Sequence, residues 1–205
     1  MLHGIVEQVR NRGMRKGGYL MSGSEAVQFD IVRLKVARLS AEAFRPFGEL
    51  LVAGDRDPDF SGISSVGWRS GFVSDSPSEL MVYRSTYSGL QFSTLERHHH
   101  VTQSFIPLGD TPSVVAMAPP TAGKHVPDPG DIRAFLLDGT AGYVLKAGTW
   151  HSPDRYPLVE NPADIVIITD RATQQELESN PSGPWERTEA VDYADRFGIM
   201  FEFEV

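Results

Sequence analysis

From Met81 onward the chain never runs far without a turn. Short alternating segments read as strands at Met81–Tyr87, Phe92–His98, Gln103–Pro107, Val114–Ala118, Ile132–Leu137, Tyr143–Leu145 and Asp164–Asp170. Between them stand Leu-Gly-Asp, Pro-Pro-Thr-Ala-Gly, Asp-Gly-Thr-Ala-Gly and Asn-Pro-Ala-Asp, each of which breaks a strand. No stretch keeps a helical apolar period long enough for a crossover helix, which disfavours a parallel α/β sheet. The pattern predicts an all-β, mainly antiparallel barrel or sandwich with a few short helices.

The flanks fit that plan. Phe29–Val36 reads as a first strand, Ser40 as the N-cap of one helical turn over Ala41–Arg45, and Pro46 and Gly48 as its end. Glu49–Val52 is extended again. Asp55–Ser78 is loop-like, with a short strand expected near Trp68–Val73. Ala172–Glu178 suits a brief helix, and Asn180–Pro184 a break. The tail Ile199–Val205 alternates as an edge strand would, available to pair with another subunit. One barrel domain over 25–205 is expected, with a C-terminal extension from about 172 and a flexible leader over 1–24.

Composition excludes several functions. A formal charge of −8 leaves no basic stripe for nucleic acid. The absence of cysteine removes disulfides, thiolate metal sites and a cysteine nucleophile. No apolar run is long enough for secretion or membrane spanning, so a cytoplasmic protein without a membrane partner is expected. Gly-rich phosphate loops, Gly-x-Ser-x-Gly elbows and His-Glu-x-x-His helices are missing from the sequence.

Two polar clusters interrupt this apolar alternation. The first is Leu95-Glu96-Arg97-His98 followed by Gln103, and the second runs from Gly142 to Trp150-His151. A strand sends residues i and i+2 to one face, so Glu96 and His98 point together while Leu95 and Arg97 point away. Two imidazoles (His98 and His151), the Glu96 carboxylate and the Gln103 amide oxygen make a nitrogen and oxygen donor set suited to Ni, Zn, Mn or Fe. Taken singly, Glu96 and His98 also suit a buried hydrogen-bonded pair, with Arg133 or Lys146 as the cationic partner. Arg133 on an apolar strand and Arg171 at a strand end are either salt-bridged or anion ligands. His99 and His100 read as surface residues, Arg97 as facing away from the cluster, and Trp150 as packing at the barrel rim.

The spacing Glu-x-His-x4-Gln is similar to the cupin pattern His-x-His-x4-Glu. Lys146-Ala-Gly148-x-x-His151 is similar to the cupin Pro-x-Gly-x-x-His. Four blocks together resemble the ureidoglycolate lyase family (also called ureidoglycolate hydrolase). They are Leu95–Pro107, Ile132-Arg133-Ala134-Phe135, Gly142 to His151-x-Pro153, and Asp170-Arg171. Departures fall at His99-His100-Val101, Val144-Leu145 and Ser152, and the loop 55–78 and the tail past Ala172 find no match.

The resemblance implies a homodimeric cupin-like barrel of allantoin and purine breakdown. It implies a carbon–nitrogen lyase of the amidine-lyase type that splits ureidoglycolate into glyoxylate and urea, with a divalent metal, nickel by family. Glu96, His98, Gln103 and His151 would hold the metal or grip the substrate, with His98 and His151 catalytic. Arg133, Lys146 and Arg171 would bind the substrate carboxylate. Action on another small ureido or hydroxy acid, or non-catalytic binding of a small carboxylate, stays open at this point.

Overall fold

The computed structural model describes residues 28–205; the expected leader over 1–24 lies outside them. Along the chain run β1 (Asp30–Arg38), α1 (Ala41–Phe44), β2 (Gly48–Leu51), β3 (Phe60–Ser61), β4 (Val66–Gly67), β5 (Ser78–Ser85) and β6 (Gln91–Phe92). Then come β7 (Thr94–His98), β8 (Gln103–Leu108), β9 (Ser113–Ala118), β10 (Arg133–Leu137), β11 (Gly142–Leu145), β12 (Trp150–His151) and β13 (Tyr156–Pro157). The last elements are β14 (Ala163–Asp170), α2 (Arg171–Ser179), β15 (Thr188–Asp192), α3 (Tyr193–Phe197) and β16 (Ile199–Glu204).

Nine strands form one curled sheet in the order β15-β7-β12-β9-β10-β1-β16-β6, with β13 also on β9. A five-stranded sheet, β2-β11-β8-β14-β5, faces it. The two sheets with their few short helices make a β-barrel, which the strand pattern left as barrel or sandwich and the motif likeness expected to be cupin-like.

Strand β9 shows why its sequence is apolar throughout: both of its faces are covered. Val114, Ala116 and Ala118 enter one core with Leu95, Trp150, Phe201 and Phe203, where the large sheet curls over itself. Val115 and Met117 enter the other, between the sheets, with Phe44, Phe105, Phe135 and Tyr143. Burying each large side chain contributes about 1.5–3 kcal/mol. Gly48 is required at its place, because a Cβ there would lie 1.8 Å from the Val144 carbonyl oxygen. Ser40 caps α1 as expected, its hydroxyl accepting from the Ala43 amide at 3.2 Å.

Some expectations need correction. The strand near Trp68–Val73 is absent; a small hairpin, β3 with β4, precedes it instead. Phe92–His98 is two strands, broken at Ser93, whose carbonyl accepts from the Tyr193 amide at 2.8 Å. The tail is not an edge: β16 lies between β1, to which it is parallel, and β6. Strand β1 is also parallel to β10, so the sheet is mixed at this end. Strands β12 and β13 are two residues each and β15 shows no period-two apolar alternation, so long-range pairing is what makes them strands. Among the described residues no helix is long and apolar enough to cross a membrane.

Candidate functional site

Period-two alternation in β7 puts Glu96 and His98 on one face, as predicted. His151 on β12 stands directly opposite Glu96 in the antiparallel ladder. The turn between β11 and β12 sets that register. Gly148 takes a φ of +81°, and its amide donates to the His98 carbonyl at 2.7 Å. The turn is thereby tied to the strand that carries the other imidazole.

The three side chains converge. Glu96 Oε1 lies 3.5 Å from His151 Nε2 and 3.8 Å from His98 Nε2. One donor atom from each of the three lies within 4.8 Å of the others. Both histidines are 3% exposed, and Glu96 is 18% exposed. Each imidazole is held by its far nitrogen. His98 Nδ1 meets Thr188 Oγ1 at 2.9 Å, and His151 Nδ1 meets the Thr149 carbonyl at 3.3 Å. The carbonyl can only accept, so His151 Nδ1 carries a hydrogen, and Nε2 is the nitrogen that faces Glu96.

Burial lowers the His98 pKa to about 4 against the pull of the Glu96 charge, so His98 is neutral at pH 7. Burial raises that of Glu96, but the His151 hydrogen bond and neighbouring charges, Arg155 among them, outweigh it. An ionised carboxylate and imidazole lone pairs within this span suit one divalent ion, since N and O ligands about 2.1 Å from an ion stand roughly 3–3.5 Å apart. Gln103 belongs to the facing sheet. It shares its strand face with Phe105, and Phe105 packs in the between-sheet core. Its Nε2 donates to Thr169 Oγ1 at 3.4 Å, while its Oε1 is buried with no protein partner. An orphaned buried acceptor is a group that a cation would satisfy. The trio can hold a metal.

The other predicted cations stand elsewhere. Arg133 is exposed and folds back onto the Gly130 and Ile132 carbonyls. It shares the face of His151 but lies two strands away across Met117, roughly 10 Å at usual strand spacing. Lys146 is exposed and donates to the Arg45 carbonyl at 2.7 Å. Arg171 opens α2 and meets Glu79 at 3.4 Å. Neither Arg133 nor Lys146 partners Glu96; His98 and His151 do. Arg97 points to the opposite face, buried over the Trp150 ring and paired with Glu189. Trp150 is fully buried rather than at a rim. His99 and His100 are at the surface, 36% and 47% exposed.

Sequence reasoning missed Thr188 and Arg155. Thr188 lies directly opposite His98 on an unpredicted strand. Arg155 follows Ser152-Pro153-Asp154, a turn-like run without periodicity, yet it is buried beside Phe105. A groove of about 690 Å³ along α2 and a 200 Å³ cleft near Trp68 are lined by none of Glu96, His98, Gln103 or His151.

Fold and trio together define a cupin-like barrel with an interior carboxylate and imidazole group. The ureidoglycolate lyase family model matches residues 31–185, and the chain belongs to that family. It is 32% identical over 147 residues to the ureidoglycolate lyase of Pseudomonas aeruginosa (strain LESB58), covering 68% of this chain and 83% of the relative. It is 29% identical to that of Burkholderia cepacia, over 72% of this chain and 85% of the relative. It is also 29% identical to that of Schizosaccharomyces pombe, over 56% and 73%. Among solved structures, RmlC from Streptococcus suis in complex with dTDP-D-xylose gives a TM-score of 0.32 at 11% identity, over 53% of this chain and 57% of that one.

Proposed function

We propose that this protein cleaves ureidoglycolate to glyoxylate and urea. The convergence of Glu96, His98 and His151 inside a barrel of this family carries the reading. Ureidoglycolate is a carbinolamine that bears a carboxylate. Removal of its hydroxyl proton turns the carbon–oxygen bond into a carbonyl as the carbon–nitrogen bond breaks. The electron pair leaves on the urea nitrogen, which takes up a proton. No water is consumed, so the reaction is a lyase step and not a hydrolysis.

Glu96, His98, Gln103 and His151 would hold a divalent ion, nickel by family resemblance, with Zn, Mn or Fe as other fits to the donors. The ion, when bound, supplies a Lewis acid that lowers the pKa of a ligating hydroxyl. Thr188 and Thr149 orient the imidazoles. In an ion-free site His151 is the base. Its Nε2 lone pair takes the proton, and the resulting imidazolium, steadied by Glu96, returns it to the leaving nitrogen. A positioned proton carrier contributes about 10²–10⁴-fold. We infer a homodimer from the same resemblance.

The test is release of glyoxylate and urea from ureidoglycolate by purified protein, before and after chelation and with single metals added back. Loss on chelation with recovery on one metal supports the ion-held site. Activity that ignores chelator supports the acid–base site. His98→Ala and His151→Ala are expected to lose turnover while keeping the wild-type circular dichroism. Normal kinetics in both would sink the assignment. Binding without turnover, or turnover of a different ureido or hydroxy acid, would replace the substrate.

A further inference from the structure

Two arginines are buried among the described residues, and they are used differently. Arg97 is spent: it pairs with Glu189 and donates to the carbonyls of Thr121 and Gly123. Arg155 is 3% exposed, and none of the salt bridges found among the described residues involves it. Its guanidinium sits 4.1 Å from the Phe105 ring centroid. Its Nε donates to the Tyr143 hydroxyl at 2.8 Å, and Nη1 donates to the Ser152 carbonyl at 2.9 Å. Nη2 is buried with no protein partner.

This is an unusual way to bury a charge. A desolvated guanidinium without a counter-ion is costly, and proteins normally place a carboxylate against it. Here the cation is clamped in one plane by its other nitrogens and left with one donor unused. It also shares a neighbour with His151. The edge of the Phe105 ring meets the His151 ring, with 6.2 Å between centroids, so one aromatic ring links cation and imidazole. The Arg155 charge is felt at Glu96. Gln103, two residues before Phe105, shares that interior face.

We propose that Arg155 is the substrate-binding cation of this site, and that Nη2 takes the carboxylate of the substrate. The inference rests on the lyase reading for the substrate's identity, a 2-hydroxy acid with a ureido group. It replaces Arg133, Lys146 and Arg171, whose contacts lie elsewhere. Phe105 forms a floor for the guanidinium, and Tyr143 and Ser152 fix its plane, so the unused donor is preorganised and little order is lost on binding.

The experiment is steady-state kinetics of the full-length, metal-loaded protein with Arg155→Gln and Arg155→Lys. Removing a charge-assisted hydrogen bond lowers kcat/KM by about 10²-fold, mostly through KM. The lysine variant falls in between, and added guanidinium ion partly restores Arg155→Ala. A folded Arg155→Gln with wild-type KM overturns the proposal. Should the variants not fold, the wild-type protein decides by competition between glycolate and glycolamide, which differ in charge and hardly in shape. Glycolate is expected to bind about tenfold or more tighter, and equal binding overturns the proposal. The two readings fail separately. Wild-type protein that leaves ureidoglycolate intact but binds glycolate through Arg155 sinks the lyase and keeps this cation. Wild-type turnover with no change in Arg155→Gln does the reverse.

Discussion

At the scale of single residues, the site depends on groups that never touch a substrate. Thr188 is the clearest case. Its hydroxyl holds His98 Nδ1 at 2.9 Å, and it is 3% exposed. Valine has nearly the same shape and no hydroxyl. Thr188→Val should leave the fold in place and free the His98 ring to turn. If His98 is a metal ligand, affinity for the ion should fall about 10–100-fold, as is usual when an outer partner of a ligand is lost. Titration of the apoprotein with Zn or Ni reads this directly. An unchanged affinity would make the threonine a packing residue only. His98 and Glu96 were legible from alternation alone. Thr188 was not, because a hydroxyl becomes a partner only through cross-strand register.

At the scale of elements, β15 is held to the barrel from both sides. It pairs with β7 along its whole length, and α2 grips its start. The Glu176 carboxylate accepts from the amides of Glu186, Arg187 and Thr188 at 2.7, 2.9 and 3.1 Å. Burial raises the pKa of Glu176, but those amides outweigh it and bring it below the ordinary range. A carboxyl whose folded pKa is depressed contributes stability above its unfolded pKa, and the contribution is lost as pH falls through the folded value. Glu176→Gln should therefore cost about 1 kcal/mol at pH 7. The gap to wild type should narrow below about pH 4.5, where the carboxylate begins to protonate. Thermal unfolding of both proteins from pH 7 to pH 3.5 checks the sign. A gap that widens on acidification would show that the carboxylate charge is not what holds β15.

At the scale of the whole molecule, the chain past the family-matched residues 31–185 is part of the core. Phe201 and Phe203 stack on Phe92 at 5.1 and 5.0 Å, and Tyr193 meets Phe201 edge-on at 4.9 Å. Phe201 is completely buried. Phe201→Ala should destabilise the protein by about 3–5 kcal/mol, measured by urea unfolding. A loss below about 1 kcal/mol would mean that the tail is an appendage. The same residues show where alternation stops informing. Ile199, Phe201 and Phe203 read correctly as one apolar face, but a free edge and a strand between two neighbours look alike in sequence. Position in the sheet comes from which strands find each other.

The sequence alone determined the local geometry: all-β segments cut by Gly and Pro, an apolar β9, Glu96 and His98 on one face, and a Gly-centred turn before His151. These follow from backbone sterics and side-chain period, which act over a few residues. Tertiary structure decided the rest. It set His151 opposite Glu96, gave His98 its Thr188 and drew Arg155 out of a turn into the core. It also left Arg133, Lys146 and Arg171 with partners elsewhere. A charged residue's task depends on what lies within a few ångströms of it. For His98, Arg155, Lys146 and Arg171 that is chain 12 to 101 positions away, which pairing and packing bring near.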